Sequence, residues 1–108
     1  MRQLTVGLIA GPFRQRAERA IDSLLSQNPP GGLTIHVIDF DPGGSPLAIS
    51  PLPREVDLTV SKAPNDWLIG QARAAIVRQA TTPLVGFLEE HFLPVDAIGR
   101  VPHVRIVT

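Results

Sequence analysis

Short apolar segments, separated by charged and proline-rich stretches, limit the folds open to this chain. LTVGLIA at residues 4 to 10 and LTIHVIDFD at residues 33 to 41 are rich in β-branched residues, and glycine and proline follow each of them. Such segments predict strands buried on both faces, as in a parallel sheet covered by helices. DLTVSKA at residues 57 to 63 predicts a weaker strand, and LVGFL at residues 84 to 88 predicts another buried one.

Two amphipathic segments lie between these strands. From Phe13 to Leu25 apolar residues recur at intervals of three and four, with charged residues on the other face, which predicts a helix. Residues 68 to 79 show the same spacing, and Asn65 or Asp66 is expected to cap that second helix.

The order of these elements predicts an α/β fold, a mostly parallel sheet with helices on both faces. Residues 42 to 53 contain four prolines and little periodicity, which predicts a surface loop. We expect one domain over residues 1–96 and a tail over residues 97–108. Within that tail, VRIVT at residues 104 to 108 is compatible with either an edge strand or a frayed terminus.

Composition excludes several classes of function. The ten basic and ten acidic residues balance to zero net charge, so no global field favours nucleic acid or an anionic membrane. Cysteine is absent, which removes disulfides, thiolate metal sites and cysteine nucleophiles and fits a reducing compartment. No segment approaches the ~20 apolar residues of a transmembrane helix, and none resembles a signal peptide. These features predict a soluble, cytoplasmic protein.

Polar residues follow two of the predicted buried strands at the point where each strand ends. Asp39 and Asp41 close the second strand, and Glu89, Glu90 and His91 follow the last one. Ligands of open parallel sheets bind outside the carboxyl ends of the strands, near the point where strand order reverses. Carboxylates that converge there need a cation or hydrogen-bond donors to offset their repulsion, so this edge is predicted to bind a metal or a polar ligand.

Each of these groups also has a purely structural interpretation. Asp41 precedes PGG and could simply solvate a loop. His36 is expected to be a surface or packed histidine, and Trp67 an anchor in the core or at its rim. The arginines at positions 14, 16 and 19 are expected to form a solvated helix face rather than a phosphate site. Glycine-rich phosphate-binding motifs, the G-x-S-x-G elbow and H-E-x-x-H are all absent, which leaves sites built from acids.

The motifs, taken in order, resemble the nucleotide-binding half of family 2 glycosyltransferases of GT-A fold. The family pattern is a strand, a helix ending near S-L-x-x-Q, a V-D-D-x-S strand end, a G-x-x-x-A-R-N helix start and an F-L-D-x-D strand end. The corresponding segments here are LTVGLIAG, SLLSQ, VIDFDPGGS, GQARAAIVRQA and GFLEEH, over about residues 4 to 96. The resemblance implies transfer of a sugar from a nucleotide-diphosphate donor to an acceptor hydroxyl.

The resemblance also implies roles for particular residues. Asp39 matches the aspartate that faces the nucleobase, Asp41 lies near the second aspartate of V-D-D, and Arg73 matches the arginine of A-R-N. Glu89 and His91 match the two ends of D-x-D, which holds Mn²⁺ or Mg²⁺ on the donor diphosphate. Glutamate shifts the carboxylate by about 1.5 Å relative to aspartate, and a histidine nitrogen suits Mn²⁺ better than Mg²⁺.

The sequence also departs from this family after Pro94, where nothing identifies a general base for an acceptor. The chain is therefore expected to be a donor-binding half without its acceptor half, either a truncated product or one that needs a second copy or a partner chain. One alternative is a non-catalytic α/β interaction module, which an exposed apolar patch would favour. Another is an unrelated α/β enzyme whose Asp39 and Asp41 bind Mg²⁺ for phosphoryl chemistry.

Overall fold

A computed structural model of the chain describes residues 4–26, 32–88 and 104–107. These residues form five strands and two helices, in an order that matches the predicted alternation. The elements are β1 (Leu4–Ala10), α1 (Arg14–Ser26), β2 (Leu33–Asp39), β3 (Val56–Lys62), α2 (Ile69–Gln79), β4 (Leu84–Leu88) and β5 (Val104–Val107).

The strands form one sheet in the order β3-β2-β1-β4-β5. The first four strands in this order are parallel, and β1 lies between β2 and β4, so that Leu4 pairs with both Leu33 and Leu84. β5 pairs antiparallel with β4, with Leu88 opposite Val104. The predicted mostly parallel α/β fold is confirmed, and of the two alternatives for the last residues the structure shows the edge strand.

The two helices cover opposite faces of the sheet, because successive side chains of a strand point to alternate sides. Val6, Leu8 and Ala10 of β1 pack in one core with the apolar stripe of α1, which is Ala17, Ala20, Ile21 and Leu24. Val85 and Phe87 of β4 pack in a second core with Ala72 and Ile76 of α2. Each helix therefore buries its own stripe against its own side of the sheet.

The start of each helix differs from the sequence expectation. Phe13 precedes α1 and is 68% exposed, so it does not belong to the buried stripe. α2 begins at Ile69 with Leu68 as its N-cap, and the expected cap at Asn65 or Asp66 is wrong because those residues form a turn. The Gln71 side chain accepts the backbone N–H of Leu68, which supplies the capping bond from within the helix.

The connection between β2 and β3 is the predicted proline-rich loop, without a helix of its own. Leu47 and Ile49 of this loop are half-buried and pack against the core on the α1 side of the sheet. The loop therefore shares with α1 the covering of that face. Among the described residues, no helix has the length and apolar character to span a bilayer.

Candidate functional site

The order of the strands places the candidate site at one edge of the sheet. The chain moves from β1 outward through β2 to β3, then crosses back so that β4 lies on the other side of β1. The carboxyl ends of β1 and β2 are adjacent there, with Ala10 paired to Asp39 and the Phe40 N–H donating to the Ala10 carbonyl at 2.8 Å. This is the reversal of strand order at which parallel sheets bind ligands.

An ion pair between Arg14 and Asp39 forms the centre of this edge. Arg14, the first residue of α1, donates from Nη1 to Asp39 Oδ1 and from Nη2 to Asp39 Oδ2, both at 2.7 Å. The two side chains are only 11% and 8% exposed. The hydrogen bonds from Arg14 hold the pKa of the Asp39 carboxyl below its usual value, despite an opposing effect of burial. Asp39 is therefore a fixed carboxylate at neutral pH.

Arg14 also fixes the backbone around the pair. Its Nε donates to the Ser45 carbonyl at 2.8 Å, and Nη1 donates to the Gly11 carbonyl at 3.2 Å. One guanidinium thus connects the end of β1, the end of β2 and the proline-rich loop. The solvated helix face expected for the arginines is wrong for Arg14, whereas Arg16 lies over the exposed Phe13 ring at 5.0 Å.

A cavity of about 300 Å³ opens beside the ion pair. Its polar groups include Arg14, Asp39 and Ser45, and its other walls come from the loop and from β3: Pro42, Gly44, Pro46, Leu47, Ile49 and Val60. Asp39 Oδ1 accepts a second hydrogen bond, from the Asp41 N–H at 2.8 Å, whereas Oδ2 accepts only from Arg14 among the described residues. Oδ2 therefore retains capacity to accept a donor from a ligand.

Asp41 begins the turn that shapes the loop. Its carbonyl accepts the Gly44 N–H at 2.9 Å, and its side chain folds over Gly44, where Asp41 Oδ2 leaves no room for an added Cβ. Asp41 meets Asp39 through its backbone, and the guanidinium of Arg14 occupies both Asp39 oxygens. This arrangement disfavours an Asp39 and Asp41 site for Mg²⁺, because the charge of Asp39 is already offset.

Arg73 lies on the other side of the sheet from Asp39. It is exposed on α2, and its guanidinium carbon is 5.7 Å from the centre of the Phe87 ring of β4. Asp39 belongs to the α1 side, where Arg14 holds it. The structure therefore does not bring Arg73 and Asp39 together, although the sequence placed both in one nucleotide site.

The predicted metal ligands Glu89 and His91, like Glu90 between them, lie outside the described residues. Leu88 directly precedes Glu89 and is the last residue of β4, which pairs with β1. In the part of the chain that is described, no group of three or more His, Asp or Glu side chains could hold a metal ion.

His36 and Trp67 occupy the structural positions expected for them. His36 is buried, and its Nε2 lies 3.2 Å from the Ser61 hydroxyl on the neighbouring strand. Burial lowers the pKa of His36, which favours the neutral ring. Trp67 is half-buried at the rim of the core beneath α2.

Comparisons of the chain with protein-family models, curated proteins and solved structures found no match.

Proposed function

We propose that the carboxyl edge of the sheet binds the nucleotide of a nucleotide-diphosphate sugar, for transfer of the sugar to an acceptor hydroxyl. The observation that carries the proposal is the fixed Asp39 carboxylate beside a cavity of about 300 Å³ at the reversal of strand order. Binding pockets for small molecules are concave, mostly apolar and supplied with a few well-placed polar groups. The cavity beside Asp39 has this composition.

Asp39 offers a nucleobase an acceptor and no donor. An ionised carboxylate only accepts hydrogen bonds, and Arg14 keeps Asp39 ionised. Its Oδ2 suits a ring N–H such as those of uracil, thymine and guanine. The prolines and aliphatic side chains of the cavity supply apolar contact for the flat base. A base with an N–H group on its ring is therefore the preferred ligand.

Glu89 and His91 would hold the divalent cation of this site, since they follow β4 at the edge where β1 and β2 also end. A carboxylate and an imidazole together suit Mn²⁺ better than Mg²⁺. When bound, the cation neutralises the diphosphate and stabilises the nucleotide diphosphate that leaves.

Calorimetric titration of the purified chain with UDP, GDP, dTDP and CDP, each with and without Mn²⁺, tests the proposal. Glu89→Ala and His91→Ala should weaken the Mn²⁺-dependent part of binding. Glu55→Ala, which removes a carboxylate just before β3 at the opposite edge, should not. Asp39→Asn should weaken binding with or without the metal.

UDP, GDP or dTDP should bind more tightly than CDP, because cytosine has no ring N–H in its neutral form. Absence of binding by all four nucleotides to a chain that is folded by circular dichroism would overturn the proposal. If the Glu89→Ala and His91→Ala variants bind nucleotide with Mn²⁺ as tightly as the unaltered chain, the metal site is excluded and only the nucleotide site at Asp39 stands.

A second candidate function is a non-catalytic interaction module, and exposed apolar side chains on α2 favour it. Leu68, Ile69 and Val77 are 74%, 52% and 44% exposed at the start of this helix and along it. Leu68 and Ile69 are adjacent in the chain, and exposed apolar surface is a common site for binding another protein. Self-association that Leu68→Ser and Ile69→Ser abolish, in a chain that binds no nucleotide, would establish this function in place of the first.

A further inference from the structure

The outer edge of β3 carries unpaired backbone groups. β3 is an edge strand of the sheet, and among the described strands it pairs only with β2. Leu33 N–H donates to the Glu55 carbonyl at 3.0 Å and Ala63 N–H donates to the Asp39 carbonyl at 2.9 Å. Because a strand alternates the direction of its N–H and C=O groups, the odd-numbered residues bond to β2. The backbone N–H and C=O groups of the even-numbered residues Leu58, Val60 and Lys62 therefore point away from β2.

Within the described residues, nothing covers these outward groups. In the described part of the chain, no backbone or side-chain hydrogen bond involves the N–H or C=O of Leu58, Val60 or Lys62 on the outer side. β3 is seven residues long and contains neither proline nor glycine, two residue types that commonly interrupt an edge. The Val60 side chain is 46% exposed at the middle of this edge. The strand is therefore a ready template for another strand.

We propose that β3 pairs antiparallel with β3 of a second copy of this chain, so that the two sheets become continuous. The two-fold axis passes beside Thr59, and all seven residues of each strand then overlap. In this register Leu58 of one copy lies opposite Val60 of the other, with both side chains on the α1 side. Each such pair exchanges two backbone hydrogen bonds, and apolar side chains meet each other across the axis.

The charges on β3 favour a second copy in the antiparallel direction. Asp57 lies near one end of the strand and Lys62 at the other. In the proposed register Asp57 lies opposite Ser61 and Lys62 lies opposite Val56 of the other copy, so no like charges meet, whereas parallel pairing in register would place each charged residue beside its own copy. The chain has zero net charge, so no long-range repulsion opposes association.

Pairing would also affect the cavity beside Asp39. Val60 is one of its lining residues, and the second copy brings its Leu58 against Val60. The dimer would therefore complete one wall of the cavity. The dimer itself does not depend on what the cavity binds.

Sedimentation equilibrium between micromolar and millimolar concentrations measures the association. The unaltered chain should form a dimer that Val60→Lys weakens at least tenfold, since the substitution places a charge opposite Leu58. Val77→Lys is the matched control, because Val77 is similarly exposed, at 44%, but lies on α2. A monomer at every concentration would overturn the proposal, as would a dimer that Val77→Lys weakens and Val60→Lys leaves intact.

Single cysteines test the register directly, because the chain has none of its own. In the proposed register the two Thr59 Cα atoms lie about 4.5 Å apart, within the range that a disulfide spans. The two Val60 Cα atoms lie about 8 Å apart, beyond that range. Under oxidation Thr59→Cys should crosslink rapidly and Val60→Cys slowly. The reverse order would refute the register.

Discussion

Replacing Arg14 by methionine removes four hydrogen bonds at the carboxyl edge while keeping most of the apolar length of the side chain. Asp39 then retains the Asp41 N–H as its one donor among the described residues, and the Ser45 and Gly11 carbonyls lose theirs. Exposed ion pairs contribute up to about 1 kcal/mol, and breaking a buried one costs about 3–5 kcal/mol. The Arg14 pair is mostly buried but opens to a cavity on one side, so we expect a loss of about 2 kcal/mol between these limits.

Urea unfolding followed by the fluorescence of Trp67, the single tryptophan, measures this loss. In thermal unfolding of a domain of this size, the same loss of about 2 kcal/mol would lower Tm by about 8 to 16 °C. Arg16→Met serves as the control, because Arg16 is exposed and its described contact is the Phe13 ring. It should change stability by less than about 0.5 kcal/mol.

The pH dependence separates the ion pair from a simple packing effect. The pKa of Asp39 is lowered from 3.8, so its contribution is complete above that pH and is lost as pH falls through the lower folded-state pKa. The difference in unfolding free energy between the unaltered chain and the Arg14→Met variant should therefore become smaller below about pH 4. Two results would refute the reasoning. One is a loss of unfolding free energy in Arg14→Met of less than about 0.5 kcal/mol at pH 7. The other is a loss of about 2 kcal/mol that stays the same in acid.

Four further substitutions test the burial of His36 and the packing of α2 and the sheet. Burial lowers the pKa of His36, so the unfolded chain takes up the proton first and the fold should lose stability as the pH falls through 6.5, the ordinary pKa of histidine. In His36→Gln the unfolding free energy should depend less on pH in this range. Gly7→Ala should cost about 1–3 kcal/mol, since its Cβ would lie 2.7 Å from Ile76 Cδ1 and 2.9 Å from Phe87 Cδ1. Gly70→Ala, whose Cβ meets nothing within 4 Å in α2, should instead stabilise by up to about 1 kcal/mol in urea unfolding. Ile76→Ala should cost about 2–5 kcal/mol by the same measurement, because Ile76 is fully buried between α2 and the sheet. A cost below 1 kcal/mol for Gly7→Ala, together with any destabilisation by Gly70→Ala, would contradict the packing described here.

The sequence predicts the sheet well because its signals are local. β1 agrees in both bounds and β3 within one residue, since short β-branched runs end at glycine, proline or a charged turn. The sequence does not reveal the start of α2, because the capping side chain, Gln71, lies inside the helix and not ahead of it as an Asn or Asp cap would.

The arrangement of the candidate site was less accessible from sequence. The place of Asp39 at the end of a buried strand marks it as a site residue, but its partner Arg14 lies 25 residues earlier and meets it only through the pairing of β1 with β2. Arg14 lies two residues after Pro12 of the Gly-Pro that follows β1, and this position is the signal that the sequence offers. Arg73 was assigned to the same nucleotide site by motif, yet the face on which α2 packs puts it across the sheet.

The antiparallel course of β5 has a practical consequence for engineering the chain. Val107 pairs with Val85 and Thr5 pairs with Val85 on the other side, so the first and last described strands approach the same edge, two strand spacings or about 10 Å apart. That edge is opposite the one that carries Asp39. A short peptide could join these two ends, and new termini could open in the loop at Pro51, giving a circular permutant with its cavity loop cut and its sheet intact.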